Sequence, residues 1–198
     1  MEKGCEVSKW LRALTGIAIV SLVNSVLGYI PFVHGDITTW ISRGIMLAMV
    51  LCLFRLAPVN ARYRKAGIFR AGMLACALIT SFLFGSMLLT IAASVFSFLA
   101  VYQEFQAHAE LVFGADPKLS RNWRSLFYWE IAVAILLSFG STAAAAILVM
   151  SGLQEGAGTI SGIVITVLGI PRLVVSVIYA LLLKKTTECV SAGEQREA

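Results

Sequence analysis

Arg172 follows Pro171 inside a run at residues 159–183 that carries no other charge, and this pair is the best placed in the sequence to do chemistry. On a helix ending at Lys184, Arg172 lies about 18 Å from that end, near the middle of a hydrocarbon layer about 30 Å thick. Helical side chains lean toward the N-terminus, so Arg70 has a path to one membrane surface and Arg43 to the other, while Arg172 is too deep for either. It needs an internal partner. Asn24 should lie at a similar depth on the first helix, Pro171 frees the carbonyl of Val167, and Glu130 is a charged candidate nearer the cytoplasm. An intramembrane arginine marks a functional site by default, and an arginine that braces helices through carbonyls is the structural alternative.

A second group is Glu104, His108 and Glu110. Glu104 and His108 are four residues apart and share a helix face, a spacing that can offer metal ligands. Two ligands do not make a site: Glu110 points elsewhere, and His34 is expected across the membrane. A solvated cytoplasmic helix end is the better reading, continuous with Lys118, Arg121, Trp123 and Arg124 as a cytoplasmic interaction surface. No metal and no cofactor are expected. A third group, Gly158, Gly162, Thr166 and Gly169 with Gly140 and Ala144, is the small-residue set through which neighbouring helices approach closely. Paired intramembrane aspartates, a His-Glu-x-x-His motif and a serine elbow are all missing from the sequence, so an enzyme is not expected.

The elements that must position these residues are set by the solvent. Of 198 residues 59% are hydrophobic and 14% charged, far more apolar surface than a water-soluble domain of this size could bury, so lipid is the fitting solvent. The composition predicts an all-α polytopic helical bundle in a single membrane domain at residues 1–185, with spans at about 13–33, 38–56, 61–84, 86–113, 127–150 and 159–183. The first run is full-length and lacks a small-x-small cleavage site, which makes it an uncleaved helix. Pro58 stops the second span, Asn60 caps the third, and Asp116 with Pro117 starts an interfacial helix at 117–126 that sets Leu119, Trp123 and Leu126 against headgroups. Residues 186–198 read as a disordered cytoplasmic tail. The four cysteines have no disulfide or zinc spacing and are expected to be free thiols.

Residues 71–103 carry no formal charge, and as one helix they would extend about 50 Å, well beyond a bilayer core. A hairpin at Gly85-Ser86 splits them into two spans. Every Lys and Arg except Arg43 and Arg172 then falls on the side of the N-terminus, which the positive-inside rule makes the cytoplasm. Six transmembrane helices with both termini cytoplasmic follow. A single long helix would instead move Lys118, Arg121, Arg124, Lys184, Lys185 and Arg196 outside and erase the asymmetry. The net charge of +5 sits beside apolar runs, so it reads as attraction to anionic lipids and excludes nucleic acid as the expected partner.

The segment Tyr102-Gln-Glu-Phe-Gln-Ala-His-Ala-Glu110, continued by Asp116-Pro-Lys-Leu-Ser-Arg-Asn-Trp-Arg124, resembles a stretch in small bacterial multi-span membrane proteins that carry no assigned activity. The resemblance covers residues 102–129 only. It implies a bacterial inner-membrane location and supplies no catalytic or binding residues. Two classes of function remain. The first is a non-enzymatic partner or regulator of another membrane protein, or a homo-oligomer, acting through the surface from Glu104 to Arg124. The second is a small-solute or ion transporter with a midplane site around Arg172 and Pro171. The interior offers few polar groups beyond Arg172, Asn24 and scattered Ser and Thr, which favours the first.

Overall fold

A computed structural model describes residues 2–28, 35–82, 87–150 and 157–196, with side chains over these ranges except 2–5, 35, 82, 138, 141–150, 157–168 and 194–196. All six described elements are helices: α1 (Glu2–Leu27), α2 (Gly35–Leu56), α3 (Ala61–Phe82), α4 (Met87–Val112), α5 (Pro117–Met150) and α6 (Ala157–Arg196). Their ends follow local chemistry. α2 stops at Leu56, shortly before Pro58, whose residue pair disfavours the helical backbone. Asn60 caps α3, its Oδ1 accepting from the Arg62 amide at 2.8 Å. Asp116 caps α5 with Pro117 in the first helical position, Oδ1 accepting from the Lys118 and Leu119 amides at 3.0 and 2.9 Å. α6 continues through Pro171.

The helices form a closed ring. Each packs on its neighbours in sequence, α6 returns to α1, and α4 touches α6 across the middle. α3 and α4 lie side by side, so residues 71–103 fold back on themselves as expected, though the turn at Gly85-Ser86 lies outside the described residues. Gly72 permits their close approach: a Cβ there would sit 3.1 Å from the Phe96 ring. At the other seam the Thr15 and Thr187 hydroxyls are 3.5 Å apart and Arg12 Nη2 donates to Ser191 Oγ at 3.4 Å, which sets the two termini at the same end of the ring.

Three expectations are corrected here. The interfacial helix at 117–126 is the start of α5, which runs unbroken to Met150; Leu119, Trp123 and Leu126 are buried in the bundle, because the aromatic face of α4 offers them a better surface than headgroups do. Residues 186–196 of the expected tail at 186–198 are helical, and 197–198 lie outside the described residues. α6 carries on to Arg196, with Thr186 and Thr187 buried and Cys189 and Val190 packed on the core. α1 likewise begins well before residue 13, and Leu11 is fully buried. The small-residue set is described only at Gly140 and Gly169; Gly158, Gly162, Thr166 and Ala144 fall among the undescribed side chains, as does most of the 151–158 loop among the undescribed residues. Cys52, Cys76 and Cys189 are free thiols.

The surface is apolar on all sides. Ile19 and Val23 on α1, Leu51 on α2, Ile68 on α3, Val95 on α4, Ile135 on α5 and Val174 on α6 are all exposed. Glu6–Leu27, Asp36–Leu56 and Met87–Val112 are long and apolar enough to cross a membrane by length and composition. A belt of this kind is stable only against lipid, and it makes the bundle membrane-associated.

Ring closure is testable at the α1–α6 seam. In a cysteine-free background, Thr15→Cys with Thr187→Cys should oxidise to an intramolecular disulfide, read as a reducible shift in gel mobility. Thr15→Cys paired with a cysteine at Ser94 on α4 should not; crosslinking of that second pair would overturn the ring order.

Candidate functional site

The half of the ring that carries the termini is closed by a buried polar and aromatic layer. Glu104 on α4 is fully inaccessible and its carboxylate is fully engaged: Arg70 Nε on α3 donates to Oε2 at 2.9 Å, Arg70 Nη2 donates to the same atom, and the Tyr179 hydroxyl on α6 donates to Oε1. One helical turn further along α4, buried His108 meets the Tyr63 hydroxyl through Nδ1 at 2.8 Å, while its ring stacks on Trp123 of α5 with centroids 4.5 Å apart. Trp123 Nε1 donates to Thr186 Oγ1 at 2.9 Å. Phe105 stacks on Tyr179 and meets Trp123 edge-on, at 5.5 Å in both cases. These contacts tie α3, α4, α5 and α6 together, and the buried side chains of Leu11, Leu14, Leu53 and Leu56 complete the layer from α1 and α2.

Beyond this layer the ring holds a cavity of about 330 Å³ lined by residues from all six helices. Arg70, Phe105 and Tyr179 are lining residues and also belong to the closing layer, so they form the floor. Asn24, Ser42, Ser97, Glu130, Arg172 and Ser176 supply further polar lining. Asn24 Nδ2 donates to Ser42 Oγ at 2.8 Å and to the Thr38 carbonyl at 3.3 Å, and its buried Oδ1 has no partner. Neither Glu130 nor Arg172 makes an ion pair or a side-chain hydrogen bond with the described residues. A second space of about 770 Å³ runs along α4 and α5 and shares Met73, Ser97, Val101, Glu130 and Arg172 with the cavity.

The structure brings Arg172, Asn24 and Glu130 to one cavity, but Arg172 is exposed, and the internal partner expected for it is not found among the described residues: Asn24 is bonded to α2 and Glu130 makes no ion pair with it. Pro171, half-buried, is not among the lining residues. The expected cytoplasmic surface divides. Glu104, His108 and Trp123 are inside the bundle, a correction whose cause is that α4 stays packed to Val112 and does not protrude into solvent. Glu110, Lys118, Arg121 and Arg124 are exposed, and Glu110 is held by Arg62 at 2.7 Å and by Asn60 at 2.9 Å. Arg70 does not run to the surface; Glu104 holds it inside. Arg43 lies over the Trp40 ring at 4.5 Å from its centroid and donates to Ser81.

Sequence reading missed Tyr63, Arg70 and Tyr179 as parts of one layer. One signal was available for the ion pair: Arg70 and Glu104 flank the uncharged stretch, and folding that stretch at its middle places its two ends side by side. No group of three or more metal-binding side chains occurs among the described residues. No family model, curated protein or solved structure matches the chain.

Removing one member of the buried pair leaves the other charge uncompensated, which costs about 3–5 kcal/mol. Arg70→Ala and Glu104→Ala should each lower the thermal stability of the purified protein sharply, whereas the double replacement Arg70→Met with Glu104→Leu should recover most of the loss. Equal damage from the singles and the double would refute a compensated pair. Tyr179→Phe, which removes one charged hydrogen bond while Arg70 remains, should cost less, about 1.5–3 kcal/mol.

Proposed function

We propose that the protein is a multi-pass carrier of the bacterial inner membrane, with six crossing helices, both termini cytoplasmic and a ligand site around Arg172. The observation that carries this reading is the cavity: every helix of the ring contributes to its wall, and it stands over a sealed layer at the end bearing the termini. A chamber closed toward one end and polar at its centre is the arrangement alternating access requires, and intramembrane charges mark the pathways of transporters. The polar groups that looked scattered in sequence are gathered here. The expected partner surface keeps only Glu110, Lys118, Arg121 and Arg124, since Glu104, His108 and Trp123 are engaged inside. That shift in the balance favours transport over partner binding. The exposed basic residues at the same end suit anionic headgroups of the cytoplasmic leaflet.

A brace and a ligand site respond differently to loss of Arg172. Arg172 makes no ion pair or side-chain hydrogen bond with the described residues and acts on Glu130 only through its field across the cavity, so Arg172→Ala should change thermal stability little. A drop of about 1–3 kcal/mol, the cost of a buried polar group that loses its partner, would show a structural brace and sink the reading. The cavity itself is tested in intact cells with a cysteine-free background. Ser42→Cys should react with a small impermeant thiol reagent added outside, and Thr186→Cys in the closing layer should not. The reverse pattern would refute the proposed orientation, and protection of both would refute the open chamber.

A further inference from the structure

We infer that the ligand is a single-chain amphiphile with a zwitterionic head, one anionic group and one primary ammonium, whose head occupies the central cavity and whose chain lies between α4 and α5. This rests on the reading of the cavity as a ligand site.

The head follows from the charges. Arg70 is neutralised by Glu104, which leaves Arg172 and Glu130 as the charged lining residues that make no ion pair or side-chain hydrogen bond with the described residues; they feel each other across the cavity without touching. They have opposite signs and share one cavity, yet no ion pair joins them. A purely anionic ligand would satisfy Arg172 and meet the Glu130 carboxylate; a purely cationic one would do the opposite. A head bearing both charges meets each residue with the opposite sign. Asn24 adds an acceptor, since its buried Oδ1 has no partner and an ammonium supplies three donors.

The chain follows from the second space. It meets the cavity at Arg172 and Glu130 and continues between Phe98, Phe127, Ile131, Ala134, Leu137 and Phe139. Toward the closed end α4 and α5 are held together, with Tyr102 against Phe127 at 5.3 Å and Phe105 against Trp123 at 5.5 Å. Away from it the groove reaches the outer face of the ring, where Phe98 is 52% and Phe139 74% exposed. On an apolar surface that side opening faces lipid. A water-soluble zwitterion has no use for an apolar groove leading from its binding charges to the bilayer; an acyl chain fills it. Volumes of about 330 and 770 Å³ for head and chain are within the range of small-molecule sites.

The probe is lysophosphatidylethanolamine with a photoreactive diazirine in its chain, added to the full chain in phosphatidylcholine vesicles. Adducts should map to α4 and α5 around Phe98, Ile131 and Ala134. Unlabelled lysophosphatidylethanolamine should displace the probe at least about tenfold better than lysophosphatidylglycerol of equal chain length or free phosphoethanolamine, the value of one charge-assisted contact. Glu130→Gln should remove the preference for ethanolamine over glycerol heads. Arg172→Gln should weaken labelling about tenfold, with Arg172→Lys retaining part of it. Ala134→Trp should block the groove while a cysteine at Ser42 keeps its reactivity, which separates groove loss from misfolding. Adducts spread evenly over the lipid-facing helices, or equal competition by phosphoethanolamine, would overturn the amphiphile and leave the carrier reading in place. A protected Ser42→Cys in the unmodified background would remove the carrier reading itself.

Discussion

The ion pair between Arg70 and Glu104 is the constraint on which the bundle depends. A carboxylate taken out of water into a medium of low dielectric costs several kcal/mol even after relaxation, and Glu104 is wholly inaccessible. It is tolerated because both of its oxygens are occupied, one by the Arg70 guanidinium and the other by the Tyr179 hydroxyl. That requirement fixes relative positions on three helices at once. α3 and α4 must be in a register that sets Arg70 beside Glu104, and α6 must present Tyr179 at the same level. The aromatic stacking of Phe105, His108, Trp123 and Tyr179 then fills the volume around the carboxylate, which excludes water and strengthens the pair it surrounds.

Sealing one half of the ring in this way has a consequence for the other half. The buried apolar cluster draws on Leu11 and Leu14 of α1, Leu53 and Leu56 of α2, and Leu182 and Leu183 of α6, all toward the end with the termini. Beyond them the helices no longer fill the space between themselves, and serines at positions 21, 25, 42, 97 and 176 occupy places where a packed core would have branched aliphatic residues. Small hydroxyl side chains and an unfilled centre leave an open space above the closing layer. His108 is part of that layer and keeps one buried ring nitrogen without a partner, so the layer is not fully satisfied in this state.

Much of the fold was legible because membrane helices are written in long-range composition. The six helical segments, the caps at Asn60 and Asp116 and the stop before Pro58 follow from hydropathy and local chemistry. Depth arithmetic set Asn24 level with Arg172, and both line one cavity, but it could not tell that Asn24 turns to Ser42 and not to Arg172. Depth does not reveal azimuth, and there the reading failed. Glu104 and His108 were expected at a solvated helix end and are buried, since a charged residue near a helix end looks the same whether it faces water or a buried arginine. Trp123 misled for a related reason: an interfacial tryptophan and one packed inside a bundle have the same amphipathic surroundings in sequence. Thr186 and Thr187 looked like the start of a polar tail, yet their hydroxyls bond back to the Leu182 and Leu183 carbonyls and let α6 continue against α1.

The two arginines inside the ring show how structure separates roles that residue type leaves merged. Arg70 and Arg172 are both guanidiniums among apolar helices and both line the cavity, Arg70 bonded to buried Glu104 in the floor and Arg172 sharing the wall with Glu130. Arg70 has given its hydrogen bonds to Glu104, so its charge is spent on holding helices together and is closed to a ligand. Arg172 and Glu130 have made no such commitment. A structural pair lowers its energy by meeting; a binding pair must stay apart until something enters between its members. The fold packs α3 against α4 closely enough for contact, while α5 and α6 hold Glu130 and Arg172 apart on the wall of an open space. Under the carrier reading, a ligand bearing both charges would make with Glu130 and Arg172 the contacts that these two do not make with each other, as Arg70 and Glu104 do in the layer below.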